Sequence, residues 1–129
     1  MYRTYSLARI VEAQLTTEPY ESDGLSVKDF FQDSLGVLCV GQIEQVILQI
    51  KDPIAAYVSE RRWHDSQIIR RTEDGIILSM KVKMNDELVR WVLGLGLSAQ
   101  VIAPVALQRL VYESAKEIAR AYESKKEAA

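Results

Sequence analysis

Tyr57-Val58-Ser59-Glu60-Arg61-Arg62-Trp63-His64-Asp65-Ser66-Gln67 joins the end of one expected helix to the start of one expected strand, and the elements on either side of it decide the fold. It holds the only histidine of the chain, one of two tryptophans and a pair of adjacent arginines. Two readings fit these residues. In the structural one, Tyr57 and Trp63 close a small core, while Arg61 and Arg62 occupy the last helical turn and offset the negative end of its dipole. In the functional one, guanidinium forks bind phosphate, and indole or guanidinium planes stack on bases.

Working outward, Val46, Leu48 and Ile50 share one face of a strand, with Gln45, Ile47, Gln49 and Lys51 on the other. Asp52-Pro53 then supplies an N-cap and a proline at the first helical position, and the helix runs to about Arg61. Beyond the corner, Gln67 to Thr72 and Ile76 to Met84 flank Asp74-Gly75, a strong hairpin signal. Asn85 caps a helix with Leu88, Trp91, Val92 and Leu95 at helical spacing, which Gly94 or Gly96 ends. Ala99 to Ala103 forms a short strand. Pro104 opens a last helix, striped by Leu107, Leu110, Val111, Ala115, Ile118 and Tyr122. The order is βαββαβ plus a helix, an α+β ferredoxin-like fold with a four-stranded antiparallel sheet and both inner helices on one face.

The segment before this unit reads differently. Tyr5 to Thr16 alternates as a strand, with Arg9 on its mostly apolar face and Arg3 in the same parity. A charge there must snorkel, pair or meet an anion. Glu18 to Gly24 is a polar linker. Ser26 with Asp29 begins a short helix that carries Phe30, Phe31 and Leu35 and stops at Gly36. The division is therefore 1–20 as a strand segment, 21–42 as a linker with a short helix, and 43–129 as the ferredoxin-like domain.

The whole chain narrows the function. Its 129 residues, 48% apolar, suffice for a modest core; no apolar run approaches the length of a membrane span and no secretory signal opens the sequence, so a soluble protein with no membrane partner is expected, and the lone Cys39 fits a reducing, cytoplasmic compartment. Cys39 is alone, which leaves no intrachain disulfide and no Cys-based metal site. A net charge of −2 argues against gripping duplex DNA by bulk electrostatics. There is no glycine-rich phosphate loop, no His-Glu-x-x-His and no nucleophile elbow. Lone His64 has no evident nucleophile or second ligand beside it, so no enzyme, metal or cofactor is expected. Arg70 and Arg71 fall on opposite faces of one strand, and the Lys and Glu of the last helix are interspersed as on a solvated face.

Two separated motifs carry a family resemblance. Tyr-Val-x-Glu-Arg-Arg-Trp-His-x-Ser-Gln over 57–67, followed by Trp91-Val92-Leu93-Gly94-Leu95-Gly96, resembles the C-terminal extension, WCX, of WYL-domain transcriptional regulators. Upstream, Arg3-Thr4-Tyr5-Ser6-Leu7-Ala8-Arg9-Ile10 is similar to the last strand of the WYL domain, although Ser6 and Ala8 replace residues usually charged there. The rest of the WYL barrel, its Trp-Tyr-Leu tripeptide and the winged helix-turn-helix are not in this sequence, so Met1 is expected to open within a longer protein's domain. The resemblance implies the effector-sensing and dimerising portion of a regulator, with a single-stranded nucleic acid or nucleotide as effector. Duplex DNA would be read only through the N-terminal part. By the same resemblance, with the chemistry of the corner, the effector-binding residues would be Arg3, Arg9, Arg61, Arg62, Trp63, His64 and Gln67. Family members dimerise through this region, which implies a homodimer or higher self-association. The alternative is a stand-alone ferredoxin-like small-ligand-binding module. A third reading, a small enzyme of acylphosphatase type, lacks the phosphate-cradling loop.

Overall fold

The structure, a computed structural model, describes residues 3–36 and 38–127. A 3-10 turn (Leu7–Arg9) and a short helix α1 (Val27–Phe31) come first. Then follow β1 (Ile43–Lys51), α2 (Ile54–Ser59), β2 (Ile68–Arg71), β3 (Gly75–Lys83), α3 (Asp86–Gly94), a 3-10 turn (Gly96–Ser98), β4 (Ala99–Ala103) and α4 (Val105–Glu127). The strands form one antiparallel sheet in the order β2-β3-β1-β4, which with its helices is the expected α+β ferredoxin-like fold. Residues 1–2 and 128–129, at the ends of the first and last assigned segments, lie outside the described residues.

Strand alternation decides which face is covered. Val46, Leu48 and Ile50 of β1 register with Met80, Leu78 and Ile76 of β3, and all six are essentially inaccessible. Ala55 and Val58 of α2 and Leu88, Val89 and Val92 of α3 close over them in one apolar cluster, joined by Val101 of β4 and Leu107 of α4. Burying side chains of this size contributes about 1.5–3 kcal/mol each, which makes the cluster the main support of the sheet. On the opposite sheet face every residue of β1 and, apart from Gly75, of β3 is exposed or half-buried.

The helix ends show how local signals were used. Asn85 caps α3, its side chain accepting from the Leu88 N–H at 3.1 Å, and Ser26 caps α1 by accepting from the Asp29 N–H at 3.0 Å. Helix α3 stops at Gly94, with Leu95 as its C-cap before Gly96 at φ +60, while α1 ends at Phe31 and leaves Leu35 outside it. At α2 the expectation is corrected: Pro53 is the N-cap and makes no side-chain cap bond. Asp52 is drawn to the sheet instead, where its carboxylate accepts from Arg71 Nη2 at 2.8 Å and its N–H donates to Asp74 O at 2.9 Å. The helix also ends at Ser59, so Arg61 and Arg62 lie beyond its last turn rather than within it.

The expected strand over residues 5–16 is not formed. Only the 3-10 turn is regular there, held by Arg9 N–H to Ser6 O at 3.0 Å and Ile10 N–H to Leu7 O at 3.2 Å. Every residue from 3 to 29 is exposed. The reason is physical. Alternation specifies a face, but a strand exists only when a neighbour takes its backbone hydrogen bonds, and among the described residues no strand pairs with this segment.

The linker, by contrast, is fastened. Asn85 Nδ2 donates to Leu38 O and Val40 O at 3.2 and 3.1 Å, Lys83 Nζ donates to Cys39 O at 2.9 Å, and Glu87 Oε2 accepts from the Leu38 N–H at 2.8 Å. Gly41 stands at φ +106 with the position of a Cβ only 2.0 Å from Met84 O, so both its conformation and its closeness demand glycine. No helix among the described residues is long and apolar enough to cross a membrane.

Candidate functional site: the corner between α2 and β2

One glutamine shapes this corner. Gln67 Oε1 accepts from the backbone N–H of Trp63 at 2.6 Å and of His64 at 3.3 Å, while its Nε2 donates to Arg61 O at 3.0 Å. The loop from Arg61 to Gln67 is thereby closed around a single side chain. Trp63 Nε1 donates to Val58 O at 2.9 Å, a carbonyl near the end of α2 that also accepts from the Arg61 N–H at 3.3 Å, and the indole packs against the core cluster.

A ladder of planes results. The Trp63 ring lies 5.1 Å from Trp91 of α3 and 6.0 Å from Tyr57 of α2, tilted by 58° and 59°. The Arg61 guanidinium sits 4.7 Å from the Tyr57 ring centre and 5.9 Å from that of Trp63. Such cation–π contacts are worth about 0.5–1 kcal/mol at exposed sites. Tyr57, Trp63, Arg90, Trp91, Gly94 and Leu95 line an open cavity of about 300 Å³ here.

His64 faces the other way. Its Nδ1 accepts from the Ser66 N–H at 3.1 Å, which leaves the ring proton on Nε2, and that proton is donated to Gln32 O at the exit of α1. Ser66 Oγ accepts from the Lys81 N–H at 2.8 Å, and Asp33 O accepts from the Lys83 N–H at 2.9 Å. The corner and the exit of α1 thus take up the edge of β3 where β2 has ended. A second cavity of about 220 Å³ lies here, lined by Lys28, Phe31, Ser34, Trp63, His64 and Asp65 among others.

Of the residues singled out from the sequence, Arg61, Trp63, His64 and Gln67 come together. Arg62 is in the same loop but exposed, its Nε 3.3 Å from Asp65 Oδ1. Arg3 lines a separate cavity of about 350 Å³ with Tyr5, Tyr20 and Phe30, which meets the His64 cavity only through the shared Phe31. Arg9 lines none of these three cavities and is exposed in its 3-10 turn. The sequence-based site omitted Tyr57, Arg90 and Trp91. Trp91 was legible as part of an inward helical stripe; that it would stack on Trp63 depends on how α3 is laid across the sheet.

The polar atoms divide these side chains by role. The donor and acceptors of His64 and Gln67 are occupied in holding the loop, whereas Arg61 and Arg90 are exposed at the cavity side, the Arg61 guanidinium resting against the Tyr57 and Trp63 rings. Among the described residues no group of three or more His, Cys, Asp or Glu could hold a metal ion.

A search of curated proteins returns no match. A scan against protein-family models matches the WCX domain over residues 42–119, a span that takes in the whole sheet, α2, α3, the corner and more than half of α4. Since that match covers more than half of the chain and contains both tryptophan motifs, the chain belongs to the WCX-domain family.

Proposed function

We propose that this chain is the effector-sensing and self-associating portion of a WYL-type transcriptional regulator, and that a single-stranded nucleic acid or nucleotide binds at the corner. The cluster of Arg61, Tyr57, Trp63 and Trp91 is the observation that carries the reading, because it puts a cation beside three mutually tilted rings at the edge of an open cavity. Arg61, Arg62 and Trp63 contact the effector; His64 and Gln67 hold the loop that presents them. Arg3, across Phe31, and Arg9 extend the contact along the backbone of a longer strand. Self-association uses the large apolar side chains that α4 leaves exposed, Leu110, Tyr112, Ile118 and Tyr122, which are 46–70% exposed around the helix.

The test titrates a nucleoside monophosphate and short single strands into the chain, following tryptophan fluorescence at several salt concentrations. Arg61→Gln is expected to weaken binding and flatten its salt dependence, since fewer counterions are released. Trp63→Phe, which keeps a ring against Trp91, is expected to weaken binding with the salt slope unchanged, and Trp63→Ala to lose stacking worth about 1–3 kcal/mol. Unaltered affinity in folded Arg61→Gln and Trp63→Phe variants would remove the site assignment. The second reading, a stand-alone small-ligand module, is favoured by the completeness of the βαββαβ core within residues 43–129. It predicts that strands bind no better than the monophosphate.

A further inference from the structure

The uncovered face of the sheet has a composition unlike the rest of the chain. In register across it run Ile68, Ser79, Ile47 and Ala103, then Arg70, Ile77, Gln49 and Gln100, with Gln45 opposite Lys81 and Ile43 opposite Lys83. Lys51 faces Gly75 at the end of β1. Ile68, Ile43 and Ile102 are 69%, 51% and 45% exposed. Every charged residue of this parity is therefore basic (Lys51, Arg70, Lys81, Lys83), in a chain whose net charge is −2. Lys83 is tied to the linker through Cys39 O; Arg70, Lys81 and Lys51 are exposed, and none of the three is in an ion pair with a carboxylate among the described residues.

From this face, which lies outside the corner site, we infer a docking surface for a single acidic amphipathic helix supplied by another polypeptide. Three physical arguments select that occupant. Charge comes first: isoleucines surrounded by cations, with no carboxylate, complement an apolar stripe flanked by Asp and Glu. Two copies of the chain meeting through this face would set cations against cations, and α4 balances Arg109, Lys116 and Arg120 against Glu113, Glu117 and Glu123, so neither surface of a second copy fits. Self-association must then use another surface.

Size is the second argument. Nine residues of β1 extend about 30 Å and three strand spacings about 14 Å. That area of roughly 400 Å² is half of what a folded partner usually covers, but matches the length and ~10–12 Å diameter of a helix of about 20 residues. Ring chemistry is the third. No aromatic residue stands at any position of this face, so single-stranded nucleic acid would find cations there but nothing to stack on.

The experiment measures binding to the whole chain by fluorescence anisotropy of labelled probes. The probes are a 20-residue synthetic helix with a Leu/Ile stripe flanked by Glu, its twin with Lys for every Glu, a twelve-nucleotide oligothymidylate, and vesicles of phosphatidylcholine with phosphatidylserine. The acidic helix is expected to bind, to weaken as salt is raised, and to lose about tenfold in affinity in an Arg70→Glu, Lys81→Glu double variant, consistent with two exposed charge contacts reversed. A Trp63→Phe variant should bind it as the parent does, which separates this surface from the corner. Equal binding of the two helices, no binding of the acidic one, or retention of its affinity in the folded double variant would overturn the proposal. So would oligothymidylate or vesicle binding that the double variant abolishes while the acidic helix stays bound.

Discussion

Replacing Asn85 should destabilise two structures at once, because one side chain caps α3 and anchors the linker. Its Oδ1 accepts from the Leu88 N–H, and its Nδ2 donates to both Leu38 O and Val40 O. Loss of the cap costs about 1 kcal/mol, and the two partly exposed linker bonds add roughly 0.5–1 kcal/mol each. Asn85→Ala is therefore expected to lose about 2–3 kcal/mol. Asn85→Ser keeps a cap and loses only the linker bonds, so it should lose about 1–2 kcal/mol. Asn85→Asp keeps the cap and gains from the helix dipole, but it sets a carboxylate against two carbonyl oxygens and should fall below the serine variant. Urea unfolding with linear extrapolation measures these differences, and each kcal/mol should move Tm by about 4 °C in a chain of this size. Limited proteolysis near Leu38 to Val40 should quicken in the serine and aspartate variants. Equal stability of the alanine and serine variants would refute the reasoning, since it would leave the linker bonds without effect.

Leu48→Ala, at a position with no exposed surface between Leu78 and Val101, should cost about 2–5 kcal/mol in the same assay. Ser34→Ala should be neutral or stabilising by about 1 kcal/mol, because the Ser34 hydroxyl is buried without a hydrogen-bond partner among the described residues; a loss of more than that would mean the hydroxyl is satisfied. Sedimentation at high concentration should show self-association, and Ile118→Glu should reduce it; a strictly monomeric parent would count against the α4 surface. In gel shifts at low salt the chain should not bind duplex DNA sequence-specifically, and tight specific binding would contradict the placing of duplex recognition outside this sequence.

Much of the sheet was legible because its determinants are local. Period-two alternation in β1 and β3 names the buried face without knowledge of a partner, and each strand's inward residues are those that the structure buries. Asn85 and Ser26 could be read as caps because capping closes over three residues of chain. Asp74-Gly75 correctly marked the hairpin, but for a different reason than turn geometry. Gly75 has no positive φ; a Cβ there would lie 2.0 Å from Ile50 O, so close approach of β1 excludes any larger residue.

What failed depended on distant groups. The alternation over residues 5–16 is as regular as that of β1, yet a strand needs a neighbour and none among the described residues pairs with it. Asp52 is as good a cap as Asn85 by sequence, but the Arg71 guanidinium across the sheet edge claims its carboxylate. The corner shows the same division. Sequence alone identified Trp63, His64, Gln67 and the two arginines as its unusual residues, since rare side chains in a turn are visible without a fold. Only the tertiary structure assigned them, sending His64 to Gln32, closing Gln67 on its own loop, tilting Trp63 against Trp91 and leaving Arg3 and Arg9 elsewhere. Local patterns fix which way a side chain points relative to its own element, whereas which atom it meets is set by the packing of elements far apart in the chain.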